Sequence, residues 1–277
     1  LYAKTVTLGR THWSDTNRVM LRNRRIGCSV SGVAQFITNR GLNELRDWLE
    51  NGYDTIQEWD KMYSDWFAVP RSIKTTSVKP SGTVSLLAGA TPGLHYPESR
   101  FYIRRIRLSK HSDLIEPMKK AGYKIEPAFG SEDTTMVVEV PVDVGEGIRT
   151  AGELSIWEQF SIAALMQRHW ADNQVSCTVT FDADTEGNQI EPCLNYFQYH
   201  LKGISLLPRH DFGAYPQMPY ESIDEKEYNK QVNKLSKLSF GVIKAEEANI
   251  ETFCDGDFCD VEVIPTHGHN DDQEYAN

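Results

Sequence analysis

Lys79-Pro80-Ser81-Gly82-Thr83-Val84-Ser85 follows a β-rich run over residues 73–78 and leads into the apolar Leu86-Leu87-Ala88. A strand that ends in Pro-Ser-Gly-Thr and then starts a helix points backbone N–H groups and hydroxyls outward together. That is the local geometry of an anion site, and phosphate is the usual anion. Gly82 lets the backbone come close to a ligand, while Ser81 and Thr83 can donate or cap. The Gly-Lys-Ser/Thr ending of a Walker-type loop is missing. A plain capped turn fits these seven residues as well, so the context has to decide.

Upstream, residues 1–8 read as a helix and residues 24–30 as a short buried strand ending near Gly32. Helical spacing predicts a helix over 33–50, broken at Asn51-Gly52, and another over 54–68 with Ile56, Trp59, Met62, Tyr63 and Trp66 as a core-facing stripe. Downstream, residues 101–108 read as a strand dense in arginine. Alternation puts Arg105 and Arg107 on one face and Arg104 on the other. Together with Arg100 they suggest an anionic ligand nearby; an exposed edge with solvated charge is the alternative. A short helix (111–121), a strand (135–142), a strong helix (154–171), a strand (173–182), a helix (190–201) and a strand (203–208) follow. This alternation argues for an α/β architecture rich in parallel strands. His95 lies between the loop and the arginine strand, where a lone histidine is more often structural than catalytic.

The chain has 277 residues with 40% hydrophobic and 25% charged content, the profile of a soluble globular protein. Its formal charge of −10 argues against broad nucleic-acid binding. No apolar run reaches the roughly 18 residues that span a membrane, and no signal peptide is visible. Cys28, Cys177, Cys193, Cys254 and Cys259 do not form a secreted disulfide pattern, and a reducing cytoplasm suits them better. Leu1 in place of an initiator methionine reads as the start of a fragment.

After residue 210 the character changes. Residues 211–220 are rich in Pro, Gly and Tyr, 224–237 read as a charged helix, and 249–277 as an acidic, mobile tail. The tail carries Cys254-Asp255-Gly256-Asp257-Phe258-Cys259. Such a dithiol can reduce a disulfide elsewhere and be re-reduced by a thioredoxin-like partner. Zinc binding with His267 and His269, at a spacing that fits no common pattern, and two idle cysteines remain open beside that reading.

Several segments read together resemble one family. They are Asn23-Arg24-Arg25-Ile26-Gly27, Ser31-Gly32-Val33-Ala34-Gln35-Phe36, Lys79 through Ser85 with Pro92-Gly93-Leu94-His95, Tyr102-Ile103-Arg104-Arg105-Ile106-Arg107, Ala171-Asp172-Asn173-Gln174-Val175-Ser176, and Leu201-Lys202-Gly203-Ile204-Ser205-Leu206-Leu207-Pro208. The series resembles the C-terminal part of a class II ribonucleotide reductase, nearest to the monomeric, adenosylcobalamin-dependent ribonucleoside-triphosphate form. The resemblance runs over residues 1–210, and the tail dithiol matches again.

This resemblance implies the C-terminal half of a ten-stranded α/β barrel over residues 1–210, a peripheral helical segment over 211–248 and a flexible tail over 249–277. It implies adenosylcobalamin as cofactor, whose homolysis yields a thiyl radical on a loop cysteine inside the barrel. The radical takes the ribose 3′-hydrogen, and a cysteine pair reduces the 2′-carbon and becomes a disulfide. Carried over by motif, Ser81, Gly82, Thr83 and Val84 bind substrate phosphate, and Cys254 and Cys259 re-reduce the barrel disulfide with thioredoxin or a similar dithiol behind them. Lys79, Ser85, His95 and Arg105 fall in the substrate or cofactor vicinity. No residue here matches the family's radical cysteine, its neighbouring glutamate or its barrel cysteine pair; the flanks of Cys28 do not fit. An N-terminal half has to supply them. The tail runs on 18 residues past Cys259, beyond the usual family end. The alternative is a non-catalytic nucleotide-binding or assembly module derived from the same barrel.

Overall fold

The computed structural model describes residues 1–82, 84–209 and 216–239. Thr83, Cys254, Cys259 and the whole 249–277 tail lie outside the described residues. The architecture is mixed α/β. Its helices are α1 (Tyr2–Val6), α2 (Ser14–Asn23), α3 (Val33–Trp66), α4 (Val84–Leu87), α5 (Ile115–Lys120), α6 (Ile156–His169), α7 (Ala183–Glu186), α8 (Ile190–Phe197) and α9 (Glu225–Val232). Its strands are β1 (Phe101–Ser109), β2 (Lys124–Pro127), β3 (Thr135–Asp143), β4 (Thr178–Phe181), β5 (Ser205–Pro208) and β6 (Tyr220–Ser222). No described helix is long and apolar enough to cross a membrane.

Four extended segments lie side by side in parallel. β4 pairs with β5 from Thr178↔Ser205 to Phe181↔Pro208. Parallel bridges at Val78↔Val175 and Cys28↔Thr76 extend the row. α3 connects the first segment to the second, and α8 lies between β4 and β5, the helical crossovers that parallel neighbours need. The full strands expected over 24–30 and 73–78 are reduced to single bridges. The reason is that side chains of residues 170–173 take part of the backbone bonding. Asn173 donates Nδ2 to the carbonyls of Ile26 (3.0 Å) and Thr76 (2.7 Å), and Asp172 accepts from Thr75 N at 2.9 Å.

The second sheet is antiparallel, in the order β2-β3-β1-β6. This corrects the expectation of mainly parallel pairing over residues 101–142. The loop over residues 128–134, closed by Ala128 N donating to the Thr135 carbonyl at 2.9 Å, folds β2 back onto β3. β1 then pairs with β3 in opposite sense, with Arg105 facing Glu139.

α3 corrects a second expectation, because it runs through Asn51-Gly52 unbroken and kinks at Gly41 instead (φ 84°). A Cβ on Gly52 would stand 3.3 Å from the Trp170 ring, so this glycine permits a close contact and ends nothing. The expected aromatic stripe is also displaced. Trp59 and Trp66 are exposed, while Asp60 and Ser64 are buried. Asp60 is the partner of Lys4 from α1, a buried pair at 2.9 Å completed by Ser72. Burial pushes the Asp60 carboxyl up, but the Ser72 and Lys4 bonds outweigh it and hold the group below the usual range.

α6 forms as its period predicts. Ser155 caps it, accepting from Glu158 N, and Glu158 answers in a capping box. Its buried residues Ile156, Phe160, Ala163 and Met166 pack with Val33, Leu45 and Leu49 of α3, Val175, Cys177, Val179 and Phe181 of the β4 segment, and Cys193 and Phe197 of α8. The charged helix expected over 224–237 is the shorter α9, capped by Asp224.

Candidate functional site

The parallel row opens on one side of β4. Up to Ser176, whose N–H meets the Val78 carbonyl at 2.9 Å, the two neighbouring segments are bonded. Beyond it, side chains stand in for the missing strand. His95 Nε2 accepts from Thr178 N at 3.2 Å. Gln159, from α6, accepts from Thr180 N at 3.0 Å and donates to the Thr180 carbonyl at 2.7 Å. A cavity of about 280 Å3 occupies the opening, lined among others by Pro80, Gly82, His95, Glu98, Tyr102 and Thr178. It sits toward the carboxyl ends of parallel strands, where open α/β sheets bind their ligands.

The loop at residues 79–85 forms one rim of this cavity. Ser81 takes a left-handed backbone (φ 57°), and its carbonyl accepts from both Ser85 N (3.1 Å) and the buried Ser85 hydroxyl (2.5 Å). Gly93 presses on the loop from below. A Cβ there would lie 2.4 Å from the Lys79 carbonyl oxygen, and its φ of +53° already favours glycine. The Ser31–Phe36 stretch straps the same region down. Gln35 donates to the Gly89 carbonyl and accepts from Thr91 N, each at 2.9 Å, and Gly32 N bonds the Thr91 carbonyl at 2.8 Å. Segments that are far apart in sequence are therefore brought to one place.

Gly82 explains why the loop is so tight. A Cβ would stand 2.9 Å from the Tyr220 hydroxyl oxygen and 3.8 Å from Arg104 Nη2. The buried Arg104 guanidinium lies 4.5 Å over the Tyr220 ring, and Tyr102 meets that ring edge-on at 5.5 Å. Burial, with Tyr220 adding and Arg104 opposing, pushes the Tyr102 hydroxyl up to about 12. Among the described residues, Arg104 is thus the cation nearest the loop glycine. Arg105 is engaged elsewhere: it pairs with Glu139 at 2.9 Å and with Glu221.

Other groups behave according to their burial. His95 is pushed down by burial, with the Pro92 carbonyl opposing, which suits a neutral ring accepting at Nε2. Burial pushes the Cys177 thiol up to about 12, so it is inert as a nucleophile. Burial raises the Glu98 carboxyl, with Arg209 opposing. Of the residues singled out in the sequence, Lys79, Ser81, Gly82, Val84, Ser85 and His95 come together here, with Val84 and the Lys79 side chain facing solvent. Arg104, Gln159 and Tyr220 are additions. Alternation had shown Arg104 on a separate face, but nothing in the sequence marked Gln159. Cys254 and Cys259 are not among the described residues.

No protein-family profile matches the chain. An adenosylcobalamin-dependent ribonucleoside-triphosphate reductase of Euglena gracilis is 56% identical over 264 residues, covering 94% of this chain and 36% of its own length. A probable reductase of the same name from Dictyostelium discoideum is 55% identical over 265 residues, covering 94% and 35%. The chain is homologous to these reductases. It spans about a third of their length. A crystal structure of a B12-dependent, class II ribonucleotide reductase matches with a TM-score of 0.73 at 34% identity, over 85% of this chain and 36% of that one. The mixed α/β fold is therefore shared with a reductase structure, and the relation reaches well beyond any single motif.

Proposed function

We propose that this chain supplies the substrate-phosphate loop of an adenosylcobalamin-dependent ribonucleoside-triphosphate reductase. The observation that carries the proposal is the relation to the reductases over 94% of the chain, together with a loop that closes on Gly82 at the carboxyl ends of parallel segments. In this reading the four parallel segments are part of one half of a ten-stranded barrel. Residues 81–84 hold the triphosphate, Gly82 allowing the close approach and Arg104 supplying positive charge behind it. His95 and Gln159 keep the cavity open by occupying the free edge of β4.

The cavity beside the loop does not accommodate a corrin. At about 280 Å3, it falls at the small end for even a drug-sized ligand. Adenosylcobalamin is therefore assigned to the assembled reductase. The radical cysteine and the cysteine pair that gives two electrons to the 2′-carbon come from the remainder of the reductase. Cys254 and Cys259 pass two electrons and two protons to the resulting disulfide, become a disulfide themselves, and are restored by thioredoxin or a similar dithiol in the cytoplasm. Replacing both with Ser tests that role: turnover driven by thioredoxin should collapse while a small dithiol still supports it.

The phosphate reading is tested by hydrogen exchange with inorganic triphosphate. Protection over residues 79–95 supports it, and protection confined to other segments refutes it. A non-catalytic nucleotide-binding module would pass this test too, but would leave the reductase unaffected when the two tail cysteines are replaced.

A further inference from the structure

Tryptophan is highly buried on average, yet three tryptophans of α3 face solvent. Trp48 is 65%, Trp59 48% and Trp66 68% exposed. The helix is regular from Trp48 to Trp66, since its non-helical backbone lies at Gly41. Successive residues turn by about 100°, so the steps of 11 and 7 residues between the rings return to within about 20° of one direction. The rings form a single stripe roughly 27 Å long. This is a different face from the one that buries Leu45, Leu49, Asp60 and Ser64. The rings are also braced. Phe36 meets Trp48 edge-on at 6.0 Å, and Tyr63 stacks on Trp59 at 5.4 Å and meets Trp66 edge-on at 5.5 Å.

An acid precedes each tryptophan: Asp47, Glu58 and Asp65. With Asp54 these acids are exposed, and they share a second stripe about 100° round the helix from the first. The basic residues over 44–66 are Arg46, which pairs with Asp47 at 3.2 Å, and Lys61, so the border of the tryptophan stripe is acidic. Exposed hydrophobics scattered singly are ordinary, whereas a contiguous apolar stripe rimmed by charge marks a contact surface. Tryptophan is also among the residues that most often carry binding energy there. The Euglena and Dictyostelium relatives hold this region as 36% and 35% of their length, so roughly two thirds of such a reductase lies outside it. Polypeptide tethered in the same molecule reaches the stripe at an effective concentration that a free protein or a second copy does not match. The acids select an occupant whose apolar ridge has basic residues beside it.

We propose that the Trp48, Trp59 and Trp66 stripe of α3 is a docking surface for the remainder of the reductase, which lays an apolar segment with basic flanks along it. This rests on the reading of the chain as one portion of a reductase, and adds which of its faces meets the rest. The tryptophans supply the buried contact, and Asp47, Asp54, Glu58 and Asp65 set the approach and the register of the incoming segment.

The test mixes the chain with the remaining portion of the reductase and follows association by calorimetry and by acrylamide quenching of tryptophan fluorescence. Wild type is compared with Trp48→Ala, Trp66→Ala, Glu58→Lys and Tyr199→Ala, the last removing a ring that is 89% exposed and lies off α3. Melting temperatures should stay within about 2 °C of wild type, because these side chains are already mostly in water. Affinity should fall about tenfold or more for each tryptophan variant. Glu58→Lys should slow association about tenfold at low salt, and Tyr199→Ala should associate as wild type does. Mixing should also make the wild-type tryptophans harder to quench. A tryptophan variant that melts well below wild type shows a ring that belongs to the core and overturns the proposal. So do tryptophan variants that associate with wild-type affinity, and so does a dimer of the chain alone that Trp48→Ala or Trp66→Ala dissociates in sedimentation. In each of these cases a wild-type mixture that associates leaves the reading of the chain as one portion of a reductase standing. A wild-type chain that does not associate with the remaining portion removes that reading and this proposal together.

Discussion

His95 gives the sharpest physical test of how the cavity is held open. Its Nε2 accepts from Thr178 N at 3.2 Å, a role only the unprotonated ring can fill. Burial pushes the group below its ordinary value of 6.5, so the folded state binds the proton less readily than the unfolded chain does. The sign follows from linkage. Above about pH 6.5 both states are neutral and the contribution is complete. As pH falls below 6.5 the unfolded chain takes up the proton first and stability declines, down to the lower pKa of the folded state. Within that window the loss has a limiting slope of about 1.4 kcal/mol per pH unit. His95→Gln keeps an acceptor for Thr178 N and removes the titration. Urea denaturation of both proteins from pH 7.5 to 5.0 measures the difference. Every other group is common to both proteins, so its contribution cancels. Wild type should lose stability relative to His95→Gln only below about pH 6.5. A difference between the two that is constant across this range would refute the reasoning.

Three further outcomes follow from particular contacts. Gly93→Ala sets a Cβ 2.4 Å from the Lys79 carbonyl oxygen at a φ of +53°. Left-handed strain of about 1–2 kcal/mol plus overpacking of about 1–3 kcal/mol should lower the melting temperature by at least about 4 °C, measured by calorimetry. Lys4→Met leaves the Asp60 carboxylate buried with only Ser72 as partner and should cost about 3 kcal/mol in urea denaturation. Adding Asp60→Leu should recover much of it. Gly82→Ala brings a Cβ within 2.9 Å of the Tyr220 hydroxyl oxygen. Stability should change by under about 1 kcal/mol, because the end of one side chain can move, while affinity for inorganic triphosphate falls about tenfold or more as the loop shifts.

The elements that could be read locally were those whose period and caps agree. α6 shows why: its apolar spacing and the Ser155–Glu158 capping box both lie within a few residues of each other. The break expected at Asn51-Gly52 failed for a reason no local pattern carries, since the ring that Gly52 accommodates belongs to Trp170. The arginine strand was legible as a strand, and alternation separated Arg104 from Arg105. Which of the two faces the loop depended on Glu139 and Glu221, which draw Arg105 away. The segments at 24–30 and 73–78 read as ladder strands because Ile26, Cys28 and Val30 alternate in the first and β-branched residues dominate the second. Their bonding goes partly to Asp172 and Asn173, nearly a hundred residues or more along the chain. β2 and β6 have four and three residues, too short for alternation to stand out. The loop at residues 79–85 was visible as a turn into a helix, but its depth is set by Gly93, Gln35 and Tyr220, which reach it only through the fold.

We propose that this chain holds the substrate phosphates of a reductase whose radical chemistry lies in the remainder of the molecule. It is tested most directly by measuring 2′-deoxyribonucleoside triphosphate formation with the chain, the remaining portion of the reductase, adenosylcobalamin, a ribonucleoside triphosphate and a dithiol. Neither portion alone should give product, and the two folded portions mixed should sustain turnover. Product from this chain alone, or none from the mixture, would contradict it.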